Sequence, residues 1–369
     1  MPITEFLMDS PIKIAVIGCG AAFENLYLKP LRRLERRGWG KVTVMIEPNP
    51  QRREVAQKKF PSARAVADGG MLSDLNSGLT IITSPPPLHL EHTEQAMRAG
   101  SHVLCEKPIA HSVAAGRAMI AVSDKYKRLL AIGQTRRFYP CLVTAKQWIQ
   151  TGRIGRVFSY GYHEGGAYLW PVASDAPFRR SKSGGGALLD KGVHALDFLC
   201  WMFGGAEVVT HHDDSWEGGT ECASETLLDH SGVKGRLVLA WDQEPANGCL
   251  IKGETGDLWF PTGPLHDLFH RPKGKTWDRV ETRAEFHADV TRDNRKAPRV
   301  YYDCFDLQLI QMLRAIRNQE AVPVDGREGL IPIEIIEAAY ECAEPLHQPW
   351  LPNAEQKLAH DRHWNKRAD

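Results

Sequence analysis

Hydrophobic and polar positions follow two different patterns along the chain, and the change falls near residue 134. Before it, short β-branched runs alternate with amphipathic stretches at 26–37, 51–60, 91–99 and 113–126. The runs are KIAVIG (13–18), KVTVMIE (41–47), LTIITS (79–84), HVLCEKP (102–108) and RLLAIG (128–133). Strands that alternate with helices predict a five-stranded parallel sheet with right-handed crossovers.

After residue 134, predicted strands follow one another with turns between them. They cover 157–162, 208–212, 223–230, 235–241, 249–252 and 257–260, and helical spacing returns at 302–317 and 330–342. This pattern predicts an α+β domain whose large sheet is open and mainly antiparallel. One face of such a sheet can pack on a second subunit, which favours a homodimer or homotetramer. We expect the polar tail 355–369 to be loosely ordered.

Composition and charge narrow the class of partner. The formal net charge is +1 and the pI is near 7.7, so no overall field attracts nucleic acid or an anionic membrane. A small molecule is the expected partner. The eight cysteines are spread singly, without a C-x-x-C pair, and are expected to be reduced thiols. The first ten residues do not resemble a secretory signal, and no apolar run is long enough to span a bilayer. The expected location is the cytoplasm.

The segment Gly18-Cys19-Gly20-Ala21-Ala22-Phe23 lies where a predicted strand ends and a predicted helix begins. In Rossmann folds this place holds the dinucleotide fingerprint G-x-G-x-x-G. Gly18 permits the tight turn, Gly20 lets a pyrophosphate approach the backbone, and the helix N-terminus offers free amides. Phe23 occupies the third glycine position, so the fingerprint is incomplete. A glycine pair in such a loop also occurs without a cofactor.

Glu47 closes the second predicted strand, where an acidic side chain can bind both adenosine ribose hydroxyls. Its charge would repel a 2'-phosphate, which favours NAD over NADP. Arg52 and Arg53 lie close by in the sequence and could bind such a phosphate, so NADP stays open. The simpler alternative is a solvated carboxylate at a strand end.

Two further blocks carry candidate chemistry for the oxidation of an alcohol. Lys107, in Glu106-Lys107-Pro108, follows a strand at the sheet edge where parallel α/β sheets bind ligands. Asp190 and His194 follow a glycine run and share one face if the segment is helical. His194 can take the hydroxyl proton, Lys107 can donate a hydrogen bond to the same oxygen, and Asp190 can orient either group.

Each of these residues also has a plainer interpretation. A lone lysine at a strand end is usually solvated, and an Asp-x-x-x-His pair on a helix is more often a surface pair. A metal site built from Asp190, His194 and Asp197 is an alternative, but Asp197 could equally cap the helix or form a salt bridge. No metal is therefore predicted.

Taken together, these blocks resemble the glucose-fructose oxidoreductase and inositol dehydrogenase (Gfo/Idh/MocA) family, from about Lys13 to Pro345. The most specific are A-G-x-x-V-L-C-E-K-P at 99–108 and G-G-G-x-x-x-D-x-G-x-H at 184–194. The resemblance implies an α/β Rossmann-type domain at 1–134 and a substrate-binding and oligomerisation α+β domain at 135–369. It implies hydride transfer between NAD(P) and a secondary alcohol or ketone carbon of a sugar, cyclitol or sugar derivative, with Lys107, Asp190 and His194 as the catalytic group.

The resemblance also implies where cofactor and substrate bind. Thr83, Pro85 and His89 would line the adenosine and nicotinamide path, and Glu106, Lys107 and Gln134 would lie beside the nicotinamide ribose. Polar and aromatic side chains would select the substrate: Arg137, Tyr162, His163, Tyr168, Trp170, Arg179 and Arg180. Tyr160 and Tyr162 share a strand face, which favours a packing role for one of them. Phe23 and the prolines at 85–87 depart from the family pattern and put the cofactor pose in doubt.

Other functions remain open at this point. The chain could reduce a keto-sugar in a biosynthetic pathway or oxidise a dihydrodiol. It could keep its cofactor bound through successive half-reactions. It could also be a non-catalytic dinucleotide- or sugar-binding regulatory protein, but such a protein would be expected to have lost part of the catalytic group, which is intact here.

Overall fold

The computed structural model describes residues 10–68, 77–172, 174–244, 246–282, 298, 300–318, 320–347 and 352–363. The chain divides into two compact units, residues 1–138 with 285–330 and residues 139–284 with 331–369. The single boundary predicted at residue 134 does not describe this arrangement, because 285–330 returns to the first unit. There Arg33 forms an ion pair with Asp306 at 2.6 Å.

The first unit contains a six-stranded parallel sheet in the order β3-β2-β1-β4-β5-β6. Its strands are β1 Ile12–Ile17, β2 Gly40–Ile46, β3 Arg64–Val66, β4 Leu79–Ile82, β5 His102–Cys105 and β6 Leu130–Ile132. The predicted parallel sheet is confirmed, with one strand more than expected. The additional strand, β3, is three residues long and has no fully buried position, so it gives no hydrophobic pattern.

The helices of this unit connect the strands as the alternation predicted. They are α1 Leu28–Arg36, α2 Pro50–Lys59, α3 His89–Arg98, α4 Val113–Tyr126 and, after the return of the chain, α8 Tyr301–Asn318. Asn49 and Ser112 begin α2 and α4, because each side chain accepts a hydrogen bond from an amide of the first turn. A π-helical turn, Phe23–Tyr27, precedes α1 where a continuous helix was predicted.

The second unit is built on a nine-stranded sheet in the order β14-β13-β12-β11-β7-β10-β9-β8-β15. Its strands are β7 Val157–Glu164, β8 Glu207–Asp213, β9 Ala223–His230, β10 Val233–Ala240, β11 Gly248–Gly253, β12 Gly256–Phe260, β13 Phe269–Pro272, β14 Asp278–Arg279 and β15 Ala343–Pro345. Only two neighbouring pairs, β10 with β7 and β15 with β8, are parallel among the strands described. The predicted open, mainly antiparallel sheet is confirmed.

Helices accompany this sheet, and the longest stretch of them follows the glycine run. They are α5 Pro140–Gln150, α6 Arg180–Ser183, α7 Val193–Phe203 and α10 Asn353–Arg362, with a π-helical turn at Leu188–Gly192. The helix α9 Gly326–Glu341 belongs to both units, since residues 326–330 fall in the first and residues 331–341 in the second. One sheet face is covered by α7, since the ring of Phe198 packs on Tyr162 with centroids 5.5 Å apart. The opposite face carries a groove of about 500 Å³ lined by Leu250, Trp259, Phe269, Arg271 and Trp277.

The prediction of a loosely ordered tail at 355–369 is wrong for residues 355–363. Most of this segment lies in α10, and His363 directly after the helix is buried and lies 2.7 Å from Asp213. A polar sequence concealed this anchor, because the partner lies 150 residues earlier in the chain. Residues 364–369 lie outside the described part. Within the described part, no helix combines the length and apolarity needed to cross a membrane.

Candidate active site

The loop after β1 carries glycine, and so has no side chain, at positions 18 and 20. Gly18 has a φ of +90°, and a Cβ there would lie 2.8 Å from the amide nitrogen of Ser84, so only glycine fits. Around a Cβ built at Gly20, only the Arg52 guanidinium comes within 4 Å, at 3.3 Å. A glycine loop without side chains, beside a guanidinium and a helix N-terminus, is suited to a pyrophosphate. The loop therefore fits a dinucleotide.

Glu47 is held at the end of β2 by backbone amides. Its carboxylate accepts hydrogen bonds from the amides of Cys19 at 2.7 Å and Asn49 at 2.9 Å. The side chain is buried, so it is not the solvated strand-end carboxylate of the plainer interpretation. Arg53 donates to the backbone oxygens of Glu47 and Pro48, and only Arg52 lies against the glycine loop. A fixed negative charge therefore lies directly beside the loop.

Phe23, at the third fingerprint position, points into the core instead of lining the loop surface. Its side chain is 1% exposed, and its ring lies 6.2 Å from that of Phe60. Ala21 and Ala22 precede it, and the wider π-helical turn starts at Phe23 itself. Phe23 is therefore a packing residue whose bulk coincides with the irregular start of the helix.

Glu106 is the centre of a buried polar group next to Lys107. The Tyr27 hydroxyl donates to Glu106 Oε1 at 2.6 Å, and the Lys107 amide donates to Oε2 at 3.1 Å. Gln308, on α8, donates to the Tyr27 hydroxyl at 3.1 Å. Burial raises the pKa of Glu106 above its ordinary value, although the hydrogen bond from Tyr27 and the charge of Lys107 act in the opposite direction. Glu106 thus holds the backbone at Lys107 and is itself held by Tyr27.

His89, predicted to line the cofactor path, is completely buried and clamps two loops together. Its Nε2 lies 2.8 Å from the Ser84 carbonyl oxygen, and its Nδ1 lies 3.0 Å from that of Pro108. Burial lowers the pKa of His89. The ring therefore ties the segment after β4 to the segment after Lys107. Thr83 and Pro85 lie in the same β4 loop, and buried Gln134 follows β6.

In the second unit, Glu221 accepts hydrogen bonds from the start of the segment that carries Asp190. The amides of Gly186 and Leu188 donate to its carboxylate at 3.0 and 2.9 Å, and the Tyr340 hydroxyl donates at 2.7 Å. Burial, followed by the charge of Asp213, raises the pKa of Glu221 to about 7. Glycines are required here, because a Cβ at Gly185 or Gly186 would overlap Tyr340 or the Glu221 backbone.

Asp190 lies in the π-helical turn, and His194 lies at the start of α7. The predicted helical placement of this pair is therefore observed. The indole of Trp241 donates to Asp190 Oδ2 at 3.3 Å, and the ring of Tyr168 packs on Trp241 with centroids 4.8 Å apart. Burial and the charge of Asp190 raise the pKa of Tyr168 to about 12. An aromatic pair thus adjoins the carboxylate.

The residues predicted to select the substrate do not form one group. Arg137 forms an ion pair with Glu328 at 3.2 Å within the first unit. Tyr162 is completely buried and donates to Glu164, so it is a core residue. His163, next along β7, lies with Arg236 on the sheet face opposite α7. Trp170 is 43% exposed, and Arg179 pairs with Asp175 at 3.2 Å on the surface.

Three residues of this site were missed by the sequence analysis: Tyr27, Glu221 and Trp241. Tyr27 contacts the predicted residue Glu106, and Trp241 contacts the predicted residue Asp190. Glu221 contacts the amides that precede Asp190. Each contact joins residues more than 30 positions apart, and none of the three residues stands in a recognisable motif. Asp197, the third ligand of the alternative metal site, is buried in α7. Among the described residues, no cluster of three or more His, Cys, Asp or Glu side chains has the arrangement of a metal site.

A bare glycine loop, a fixed carboxylate after β2 and a lysine after β5 define a dinucleotide-binding Rossmann domain. A family model described as "Oxidoreductase family, NAD-binding Rossmann fold" matches residues 12–134, and one described as "GFO/IDH/MocA C-terminal domain" matches residues 142–259. The chain therefore belongs to the Gfo/Idh/MocA family, and its first unit has the NAD(P)-binding fold of that family.

Relatives agree with this assignment. The scyllo-inositol 2-dehydrogenase (NADP(+)) of Bacillus subtilis is 25% identical over 349 residues, which is 90% of this chain and 94% of that protein. The levoglucosan dehydrogenase of Pseudarthrobacter phenanthrenivorans is 30% identical over 206 residues, 52% of each chain. The chain thus spans about half the length of some of the curated relatives it matches.

Solved structures share the fold at low sequence identity. The 3-ketoreductase KijD10 from Actinomadura kijaniata, in complex with NADP and TDP-benzene, matches with a TM-score of 0.77 and 20% identity over 92% of this chain and all of that one. A levoglucosan dehydrogenase in complex with NADH and levoglucosan matches with a TM-score of 0.77 and 20% identity over 89% of this chain and 97% of that one. This likeness is one of fold.

Proposed function

We propose that the chain is an NAD(P)-dependent oxidoreductase that acts on a secondary alcohol or ketone carbon of a sugar, cyclitol or sugar derivative. The observation that carries the proposal is family membership together with an intact Lys107, Asp190 and His194. The absence of a side chain at Gly20 supports dinucleotide binding, because among the described residues, apart from its chain neighbours, only the Arg52 guanidinium comes within 4 Å of the position that a Cβ would take.

The bound nicotinamide would supply the hydride acceptor or donor, and the residues of the chain would manage the proton and the oxygen. His194 takes the hydroxyl proton during oxidation and returns it during reduction. Lys107 donates a hydrogen bond to the same oxygen and stabilises the charge that develops there. Asp190 orients the substrate hydroxyl or the lysine, with its own position supported by the Trp241 indole.

NAD is the preferred cofactor in this proposal. The carboxylate of Glu47, fixed by the amides of Cys19 and Asn49, places a negative charge where a 2'-phosphate would have to bind. Arg53 is turned towards backbone oxygens and is not directed at the loop. NADP is the alternative, supported by Arg52 beside Gly20 and by the cofactor in the name of the B. subtilis relative. Glu47→Ala should weaken NAD binding more than NADP binding, and an equal loss for both would contradict the ribose contact.

A sugar or cyclitol is supported by the aromatic side chains near Asp190 and by the names of the relatives. Tyr168 packs on Trp241. Trp170, two residues after Tyr168, is partly exposed. Aromatic rings cover the apolar face of sugars, while charged groups bind their hydroxyls. Reduction of a keto-sugar is the second candidate, because a structural neighbour is named as a 3-ketoreductase. A dihydrodiol dehydrogenase or a non-catalytic sugar-binding regulator stays a lower-ranked alternative.

The assembly and location in this proposal follow from surface features. A homodimer or homotetramer would cover the sheet face that carries Trp259, Phe269 and Trp277, whose groove is open in the single chain. A cytoplasmic location is supported by the cysteines, because the eight are all free thiols.

The proposal is tested by following reduced-nicotinamide absorbance with NAD and then NADP across inositols, aldoses, sugar acids and amino sugars. Turnover with one substrate class is expected, and His194→Ala should lower kcat by about 10²- to 10⁴-fold while dinucleotide affinity stays unchanged. Unchanged turnover in His194→Ala would remove the imidazole from the mechanism. Dinucleotide binding without turnover on alcohols, and without turnover on the corresponding ketones with the reduced cofactor, would favour the regulatory alternative.

A further inference from the structure

The glycine run before Asp190 has no role in the proposed chemistry. The backbone amides that follow it nevertheless form a set of hydrogen bonds to a single buried residue. Three successive amides, those of Gly186, Ala187 and Leu188, all donate to one residue, Glu221. The first and third bind its carboxylate, and the second binds its backbone oxygen at 3.0 Å. One residue distant in sequence therefore caps the whole first turn of the helical segment.

We propose that Glu221 is a positioning residue for Asp190: through the amides of Gly186 and Leu188 it fixes the helical turn that carries this carboxylate. This inference rests on the proposed function, in which Asp190 acts on the substrate. The link is short, because the Asp190 amide donates to the Gly186 carbonyl oxygen at 2.9 Å, in the residue whose own amide Glu221 holds.

A second residue at the same end of the sheet, Trp241, binds the side chain of Asp190. Glu221 lies just before β9, and Trp241 lies just after β10, and these strands pair so that Ala223 faces Ala240. The Trp241 amide donates to the Cys222 carbonyl oxygen at 2.8 Å, which locks the two residues to neighbouring positions. Glu221 thus holds the backbone before Asp190, while Trp241 holds its carboxylate at 3.3 Å.

Glu221 is packed so closely that water cannot reach its carboxylate and replace the hydrogen bonds from the protein. Glu221 is 0% exposed, and the Tyr340 hydroxyl closes the remaining side by donating to Oε1. Arg180 lies over the Tyr340 ring at 3.7 Å from its centroid. A buried carboxylate with three donors is a rigid support, because losing any donor leaves an unsatisfied group in a dry site.

Glu221→Gln tests the inference, since it keeps the side-chain volume and replaces one of the two acceptor oxygens of the carboxylate by an NH2 group, which cannot accept. We expect kcat to fall about tenfold or more while dinucleotide Kd changes less than twofold, because the glycine loop lies in the other unit. Tyr340→Phe should give a smaller loss of about threefold, since it removes one of the three donors to the carboxylate. The matched control is Glu254→Gln, which breaks an exposed ion pair with Arg156 and should leave kcat unchanged.

A second readout does not depend on activity. The indole N–H of Trp241 reports on Asp190, and its NMR resonance among the ten tryptophans is the one that Trp241→Phe removes. Glu221→Gln should shift this resonance, and Glu254→Gln should not. Should Glu221→Gln not fold, Tyr340→Phe carries both measurements.

The outcomes separate this inference from the proposed function. Wild-type kcat and an unmoved indole resonance in Glu221→Gln, alongside an inactive Asp190→Asn, would overturn the positioning role and leave the proposed function intact. A fully active Asp190→Asn would instead contradict the role of Asp190 itself. In that case, a shifted indole resonance in Glu221→Gln would still establish the structural link, while an unmoved one would overturn both.

Discussion

Two glycine-rich turns, at 18–20 and 184–186, lie in different units. Their local structures are similar, but the space around the glycines is open in the first turn and filled in the second. Each precedes a π-helical turn, and each donates a backbone amide to a buried carboxylate, from Cys19 to Glu47 in one case and from Gly186 to Glu221 in the other. Around Gly20 the space is open except for the Arg52 side chain, whereas around Gly185 and Gly186 it is filled by Tyr340 and Glu221.

The difference shows that a glycine run alone does not indicate a ligand site. In the first turn, glycine leaves room for a molecule that the protein does not supply. In the second turn, glycine lets the backbone approach Tyr340 and Glu221 closely. Asp190, the proposed catalytic carboxylate, lies four positions after Gly186. What surrounds the missing Cβ distinguishes the two cases. The following predictions rank substitutions by their expected effect on the free energy of unfolding.

Gly186→Ala should be the most damaging change, because its Cβ would overlap the backbone of Glu221, which cannot rotate away. We expect a loss of about 3 kcal/mol or more in the free energy of unfolding, measured by urea denaturation. Gly205→Ala is the control, since nothing lies within 4 Å of its Cβ. Equal losses for both variants would show that the second turn is not filled as described.

The pH dependence of stability should reveal the buried Glu221. Its pKa is raised from 4.5 to about 7 by burial and by Asp213, with Tyr340 beside it and Arg180 over the Tyr340 ring. The folded protein therefore keeps a proton that the unfolded chain releases, so stability falls as the pH rises from 4.5 to about 7. The Glu221→Gln variant should lack this component, up to about 3 kcal/mol, in urea denaturation at pH 4.5 and pH 8. Parallel pH curves for the two proteins would contradict the raised pKa.

Glu47→Ala should cost about 2 kcal/mol, because it leaves the Cys19 and Asn49 amides without their acceptor, and Cys19 is buried. Thermal unfolding of the variant beside wild type measures this loss. Glu54→Ala, which removes an exposed ion pair with Lys58, is the control and should change stability very little. Stability equal to wild type would mean that Glu47 serves a ligand alone.

Gly20→Ala should have the smallest effect on stability, below about 0.5 kcal/mol, because the only close neighbour of its Cβ is the far end of the flexible Arg52 side chain. Its dinucleotide Kd should nevertheless rise about tenfold, since the methyl group occupies the approach to the backbone. Calorimetric titration with NAD measures the affinity. A large loss of stability with intact binding would reverse the contrast between the two turns.

The two turns also show how far the sequence predicts the structure. In the first unit, the glycine loop, the connecting helices and the strands other than the short β3 follow from local patterns, because parallel strands and amphipathic helices are specified by their own residues. The burial of Phe23 in the core was not predicted, since nothing local reveals that Phe60 receives its ring. In the second unit, the helical placement of Asp190 and His194 was predicted from their spacing. The contacts of Glu221, of Trp241 and of the residue that anchors α10 join distant segments, so local patterns do not reveal them.

The hydrogen bond from Gln308 to Tyr27 has a consequence for how the protein is made. It joins residues 281 positions apart, and the whole 139–284 part of the second unit is translated between them. The first unit therefore cannot complete its core in order of synthesis, as N-terminal domains generally do. A nascent chain that ends before α8 would leave Tyr27 and the Arg33 side of α1 exposed until translation reaches Gln308.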